Sequence, residues 1–123
     1  KKFRKLEVVN DQLGNPTNAE DLAHHILKLA VSHDYGVYHC TGEGVCSWYD
    51  FAKEIIRLAG VDAEVSPCTS AEYAAKHPAA AKRPAWSALE NRMLACTVGN
   101  EMRPWQDALK CYFDHWDGEN GLK

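Results

Sequence analysis

Leu6-Glu7-Val8-Val9-Asn10-Asp11-Gln12-Leu13-Gly14-Asn15-Pro16-Thr17-Asn18-Ala19-Glu20-Asp21-Leu22-Ala23 passes from a β-prone run, through a polar stretch of turn formers, into a helical pattern. Residues 6–9 read as a strand, and Asn10 to Pro16 read as an ordered turn. Thr17 followed three residues later by Glu20 reads as a capping box, and Leu22, Ala23, Ile26, Leu27 and Ala30 recur at helical spacing. The pattern predicts a helix over residues 18–32.

The same alternation continues outward from this stretch. Gly36-Val37-Tyr38-His39-Cys40 reads as a second strand, followed by a Thr41-Gly42-Glu43-Gly44 turn. Ser47 is placed to cap a helix whose apolar residues are Phe51, Ile55, Ile56, Leu58 and Ala59, and Gly60 to end it in the left-handed conformation. Ala63-Glu64-Val65-Ser66 is a third, weaker strand; Thr69 or Ser70 then opens a short helix that Pro78 stops. Strands separated by amphipathic helices pair in parallel, because a tight hairpin cannot return the chain in the same direction. The expected class is therefore α/β, with a small, mainly parallel sheet of about three short strands and four to five helices. Residues 79–86 contain Pro84 soon after Pro78 and are expected to be extended. Ser87 with Glu90 reads as another capping box for a short helix to about Ala95. Pro104 reads as the first residue of a last helix, with Trp105, Ala108, Leu109, Tyr112 and Phe113 apolar and Gly118 at its end.

The chain has 123 residues, 46% hydrophobic and 25% charged, which fits one compact domain over residues 1–123 and excludes disordered and collagen-like classes. No apolar run approaches a membrane span, and the basic start leads into no signal-peptide core, so a cytoplasmic protein without a membrane partner is expected. With a net charge of −3 and one short basic cluster, the chain is not expected to bind nucleic acid. Its five cysteines form an odd set without a Cys-x-x-Cys pair and read as reduced, mostly buried thiols rather than a disulfide framework or a zinc site. A sheet this small leaves edges uncovered, so the piece reads as a lobe of something larger that exposes apolar surface and forms homo-oligomers.

No Gly-x-Gly-x-x-Gly fingerprint or phosphate-binding Gly-rich loop is present, and the six histidines lack ligand spacing. His24 and His25, being adjacent, point to different faces of a helix. Ser47 and Ser87 read as caps rather than nucleophiles. Residue chemistry alone finds no catalytic centre, but two loops stand out. Asp11 to Thr17, containing Gln12, Gly14, Pro16 and Thr17, lies just beyond a strand, where α/β proteins bind ligands. Lys82-Arg83-Pro84-Ala85-Trp86-Ser87 sets two cations ahead of an expected helix start, with an indole available to cover a base or sugar. A structural turn and a solvated basic loop are the plainer alternatives.

Val8 to Thr17 followed by Glu20-Asp21-Leu22-Ala23 resembles the segment that follows the catalytic Tyr-x-x-x-Lys of dTDP-4-dehydrorhamnose reductases, in the extended short-chain dehydrogenase/reductase family. Gly36 to Gly42, Cys46-Ser47-Trp48-Tyr49-Asp50-Phe51-Ala52, Ala81-Lys82-Arg83-Pro84 with Ser87 and Leu89, and Met102 to Leu109 resemble further family segments in the same order. The resemblance implies the C-terminal, substrate-binding portion of an enzyme that reduces dTDP-4-dehydro-β-L-rhamnose to dTDP-L-rhamnose for cell-surface polysaccharide. Its cofactor, NADPH or NADH, and its catalytic residues would belong to an N-terminal Rossmann domain upstream of this chain. The 123 residues are then expected to bind the dTDP-sugar through Gln12, Gly14, Pro16, Thr17, Lys82, Arg83, Trp86 and Ser87, and not to catalyse alone. Some family members use magnesium, which makes Glu20 a candidate ligand for Mg2+. The Ala-rich stretch from Ala71 to Ala81 departs from the family and puts the placement of Arg83 in doubt. A regulatory subunit of the methionine adenosyltransferase type and a free-standing interaction module are the alternative readings.

Overall fold

The computed structural model describes residues 4–115. In chain order the strands are β1 (Arg4–Val9), β2 (Leu13–Gly14), β3 (Cys46–Ser47) and β4 (Ala63–Cys68). The helices are α1 (Ala19–Ala30), α2 (Trp48–Ala59), α3 (Ser70–Lys76), α4 (Arg92–Cys96) and α5 (Trp105–Asp114). Contacts gather the chain into two compact units. One unit comprises the chain up to Gly14 with Val45–Ala88, the other Asn15–Gly44 with the chain from Leu89.

In the first unit β1 and β4 pair in parallel, from Arg4 opposite Ala63 to Val9 opposite Cys68. α2 packs on both strands, and Val9, Cys46 and Cys68 are buried. The caps form as their chemistry predicts: the Ser47 hydroxyl accepts from the Asp50 N–H (3.1 Å), and Gly60 closes α2 at φ 64. Thr69, rather than Ser70, caps α3 through a reciprocal capping box with Glu72. A second, antiparallel pair sets Leu13 opposite Ser47 and Gly14 opposite Cys46. A two-residue strand is too short to leave a periodic signal, so the sequence contains no sign of it.

The second unit contains α1, α4 and α5, and within it Leu94, Met102, Trp105 and Ala108 are buried. Residues 36–40 form no strand; Val37 is 82% exposed, and β propensity is realised only where a ladder partner satisfies the backbone. The Thr17–Glu20 capping box does not form: Asn18, one residue closer, caps α1 by accepting from the N–H groups of Glu20 (2.8 Å) and Asp21 (3.1 Å). Pro104 precedes α5 with extended ψ (143°) instead of opening it. α5 ends at Asp114, and Gly118 lies outside the described residues.

Helix α1 is anchored by side chains that periodicity does not reveal. Arg103 donates to both Asp21 carboxylate oxygens (3.0 and 2.7 Å), a bidentate pair that holds the guanidinium above its usual pKa, chiefly through the Asp21 hydrogen bonds. His24 is exposed and meets Glu101 at 2.6 Å, whereas His25 is 1% exposed. The Glu101 N–H donates to His25 Nε2 (3.0 Å), so the network assigns the ring proton to Nδ1, which donates to the Asp21 carbonyl (2.8 Å). Replacing His25 by Phe leaves the Glu101 N–H without its acceptor and is expected to cost about 1–3 kcal/mol in urea unfolding. A loss below about 0.5 kcal/mol would contradict this account of the packing. Elsewhere on α1, Ile26 (55%), Leu27 (69%) and the capping Val31 (84%) are exposed.

Candidate functional site

Within the first unit, Leu13 of the first loop singled out by composition meets Ala85 to Ser87 of the second. The Leu13 N–H donates to the Ala85 carbonyl (2.8 Å), and the Ser87 N–H donates to the Leu13 carbonyl (2.8 Å). Leu13 and Trp86 thereby form a parallel bridge. β2 thus runs between β3 on one side and the segment around Trp86 on the other. The Ser87 hydroxyl adds a bond to the Leu13 carbonyl (3.1 Å). Gly14 admits this close approach, because a Cβ there would lie 3.0 Å from the Ser87 Oγ.

This pairing corrects the reading of Ser87 and Glu90 as a capping box. Ser87 is spent on Leu13, and α4 starts only at Arg92. Asn91, at the N-cap of α4, makes no cap bond, its side chain being turned to Thr41 and Glu43. No helix start therefore follows the basic loop directly. Lys82 and Arg83 are both exposed and have no hydrogen-bond or ion-pair partner among the described residues. Trp86 is 62% exposed, which leaves its indole face open to a ligand.

Gln12 immediately precedes β2, and sequence spacing does not reveal its partners. Its Nε2 donates to the Ser70 Oγ (3.0 Å), the Ser70 hydroxyl donates to Asp11 Oδ1 (2.6 Å), and the Ser70 N–H donates to the same carboxylate (3.0 and 3.1 Å). The Ser70 hydroxyl first, and its N–H second, hold the Asp11 carboxyl below the usual 3.8. A depressed carboxylate contributes stability above its unfolded value and loses it as pH falls through the folded one. Asp11 is expected to titrate below pH 3.8 when its carboxyl carbon is followed by NMR. A midpoint at or above that value would mean the contact does not form in solution.

Pro16, Thr17 and Glu20 belong to the second unit. The Thr17 hydroxyl donates to the Asn15 carbonyl (3.0 Å) and accepts from the Gly42 N–H (3.1 Å), and the Pro16 carbonyl lies against Gly42. Asn91 holds the neighbouring turn: it accepts from the Thr41 N–H (2.8 Å) and donates to the Thr41 carbonyl (2.8 Å) and to Glu43 (2.9 Å). Asn15 donates to the Gly44 carbonyl (2.8 Å) and accepts from the Leu89 N–H (2.7 Å). None of these partners is signalled by sequence spacing. Glu20 is exposed, and no group of three His, Cys, Asp or Glu among the described residues converges to hold a metal ion.

The five cysteines are free, but only Cys46 and Cys68 are buried, so the expectation of mostly buried thiols is corrected. Burial first, and Asp50 second, push the Cys46 thiol up to about 11, which makes it a poor nucleophile at neutral pH. Among the described residues no helix is long and apolar enough to cross a membrane.

A family profile described as the RmlD substrate binding domain matches residues 1–117. The spore coat polysaccharide biosynthesis protein SpsK of Bacillus subtilis (strain 168) is 40% identical over 109 residues, covering 89% of this chain and 36% of that protein. A crystal structure of a dTDP-4-dehydrorhamnose reductase from Clostridium acetobutylicum superposes with a TM-score of 0.82 at 50% identity, covering 89% of this chain and 38% of the other. The dTDP-4-dehydrorhamnose reductase of Bacillus anthracis str. Ames, solved in complex with NADP, superposes at 0.80 with 34% identity, covering 90% and 37%. The chain thus spans little more than a third of the length of these three relatives.

Proposed function

The chain belongs to the RmlD substrate-binding domain family, and from that membership we propose that its 123 residues act as one substrate-binding domain for a nucleotide sugar. The enzyme it serves reduces dTDP-4-dehydro-β-L-rhamnose to dTDP-L-rhamnose in the cytoplasm, for cell-surface polysaccharide. The observation that best supports this reading is the pairing of Leu13 with Ala85 and Ser87, which joins the segment that follows Gln12 to the one that follows Lys82 and Arg83, within one unit. The names of the relatives, two dTDP-4-dehydrorhamnose reductases and a polysaccharide biosynthesis protein, support it.

In the first unit Arg83 and Lys82 take the diphosphate, since a guanidinium fork and an ammonium match phosphate oxygens. Trp86 covers the base or sugar, while Gly14 and Ser87 keep the two segments in register. Pro16 and Thr17 serve in the second unit as the seat of Gly42. A reduced nicotinamide, NADPH or NADH, supplies the hydride; the NADP held by the B. anthracis relative supports that choice. This chain contains no dinucleotide fingerprint, and its Tyr-x-x-x-Lys spacing, Tyr49 to Lys53, lies in α2 with the Lys53 ammonium over the Tyr49 ring, so cofactor binding and proton donation are assigned to a Rossmann domain acting with it. The exposed apolar residues of α1 suit packing against another protein surface, whether that domain or a second copy.

Thermal unfolding of the chain with dTDP tests the reading. A ligand bound only by the native state raises stability by about 2.7 kcal/mol at a hundred-fold excess over Kd. The same chain is expected to oxidise no NADPH when given dTDP-4-dehydrorhamnose. Either no stabilisation by dTDP, or cofactor oxidation by the chain alone, overturns the assignment.

A further inference from the structure

We propose that Asp11 and Ser70 are positioning residues that lock the Gln12 side-chain amide with its carbonyl oxygen outward, so that Gln12 accepts a hydrogen bond from a donor group of the bound nucleotide sugar. This rests on the function proposed above and adds which end of Gln12 meets the ligand.

The argument follows one proton. An ionised carboxylate only accepts, and Asp11 takes both the Ser70 N–H and, at 2.6 Å, the Ser70 hydroxyl. The single hydroxyl proton of Ser70 is thereby committed to Asp11. Toward Gln12, 3.0 Å away, Ser70 has only lone pairs left, and those require an N–H. An amide that would otherwise be free to flip is thus assigned one orientation by a charge it does not itself touch. The flipped form would set the Gln12 Oε1 against a Ser70 oxygen that has no proton to give.

The consequence concerns recognition. With Nε2 held by Ser70, Oε1 is the end left for a ligand, and it has no partner among the described residues on a half-buried side chain. Gln12 also stands one residue before Leu13, whose bridge to Trp86 brings in the segment carrying Arg83. An outward acceptor there selects a ligand donor, either a sugar hydroxyl or the imide N–H of thymine. Asp11 and Ser70 touch neither the diphosphate nor the reacting carbon in this scheme and act only through Gln12.

Calorimetric titration with dTDP-L-rhamnose and with dTDP, on the wild-type chain and on Q12A, S70A, S70T and D11N, decides the matter together with the 15N–1H resonances of the Gln12 side chain. S70A removes the hydroxyl, and D11N introduces a donor able to reverse the proton order. Both are expected to weaken binding about three- to ten-fold, the worth of one neutral hydrogen bond, and to move the Gln12 resonances. S70T keeps the hydroxyl and is expected to stay within about two-fold. Weakening confined to dTDP-L-rhamnose identifies a sugar hydroxyl as the donor, and equal weakening for dTDP identifies the imide. Wild-type binding that Q12A, S70A and D11N leave within about two-fold overturns the inference alone, as do Gln12 resonances unchanged in S70A. No wild-type binding of either ligand overturns the function reading, and this inference with it.

Discussion

Replacing Gly42 by alanine is expected to destabilise the protein by about 3 kcal/mol or more, because the new methyl group has nowhere to go. A Cβ at this buried position would lie 2.1 Å from the Pro16 carbonyl oxygen and 3.2 Å from its carbon. Both are backbone atoms, so no side-chain rotation relieves the overlap. The turn is also tied where it would have to move: the Gly42 N–H donates to Thr17, Thr41 is held by Asn91 on both sides of its peptide, and the Glu43 backbone bonds Arg103 and Trp105. Gly60→Ala is the control. Its site is open but sits at φ 64, so it carries only the left-handed penalty of about 1–2 kcal/mol. Urea unfolding of both variants is expected to show Gly42→Ala with the lower midpoint and an unchanged slope. If Gly42→Ala were the milder of the two, the close packing of residues 15–17 against the 41–44 turn would be disproved.

Arg83→Ala is expected to lower the catalytic efficiency of a reductase carrying this chain by roughly ten- to a hundred-fold, through KM more than kcat. Under the assignment proposed above, the diphosphate would be remote from the reacting carbon and bound alike in ground and transition states, so losing the Arg83 contact would remove uniform binding. Arg83 is exposed, without a competing partner among the described residues, and without support from a helix start, since α4 begins at Arg92. A diphosphate contact at such an exposed side chain would be open to screening, and the loss is expected to shrink as salt is raised. Arg83→Lys is expected to recover only part of it, because a point charge does not reproduce the guanidinium fork. Kinetic constants that stay within about two-fold in Arg83→Ala would return the loop to a solvated surface feature.

Both sites were half visible beforehand. Gly42 was legible as a turn residue, but its partner Pro16 was not, since the two are far apart in the chain and no periodicity links them. Arg83 was legible as a cation beside proline and tryptophan, yet the expected helix start at Ser87 vanished because the Leu13 carbonyl claimed that hydroxyl. Similarly, Thr17 and Asn18 both carry capping chemistry, and local pattern alone cannot choose between them. The choice fell to Asn18 once Gly42 and Asn15 had engaged the Thr17 hydroxyl.

The sequence by itself determined whatever is decided within about one helical turn. That covers β1, the capped and glycine-closed α2 and the opening of α3 at Thr69 or Ser70, while helices between strands implied parallel pairing without naming the pair that β1 and β4 form. It also carried the family resemblance, which is a matter of residue order. Only the tertiary structure decided that residues 36–40 remain unpaired, that Leu13 lies between Ser47 and Trp86, and which way the Gln12 amide faces. Each of these depends on a backbone or hydroxyl group finding one partner among several of equal intrinsic strength. That competition is settled by which distant segments the folded chain brings within hydrogen-bonding reach.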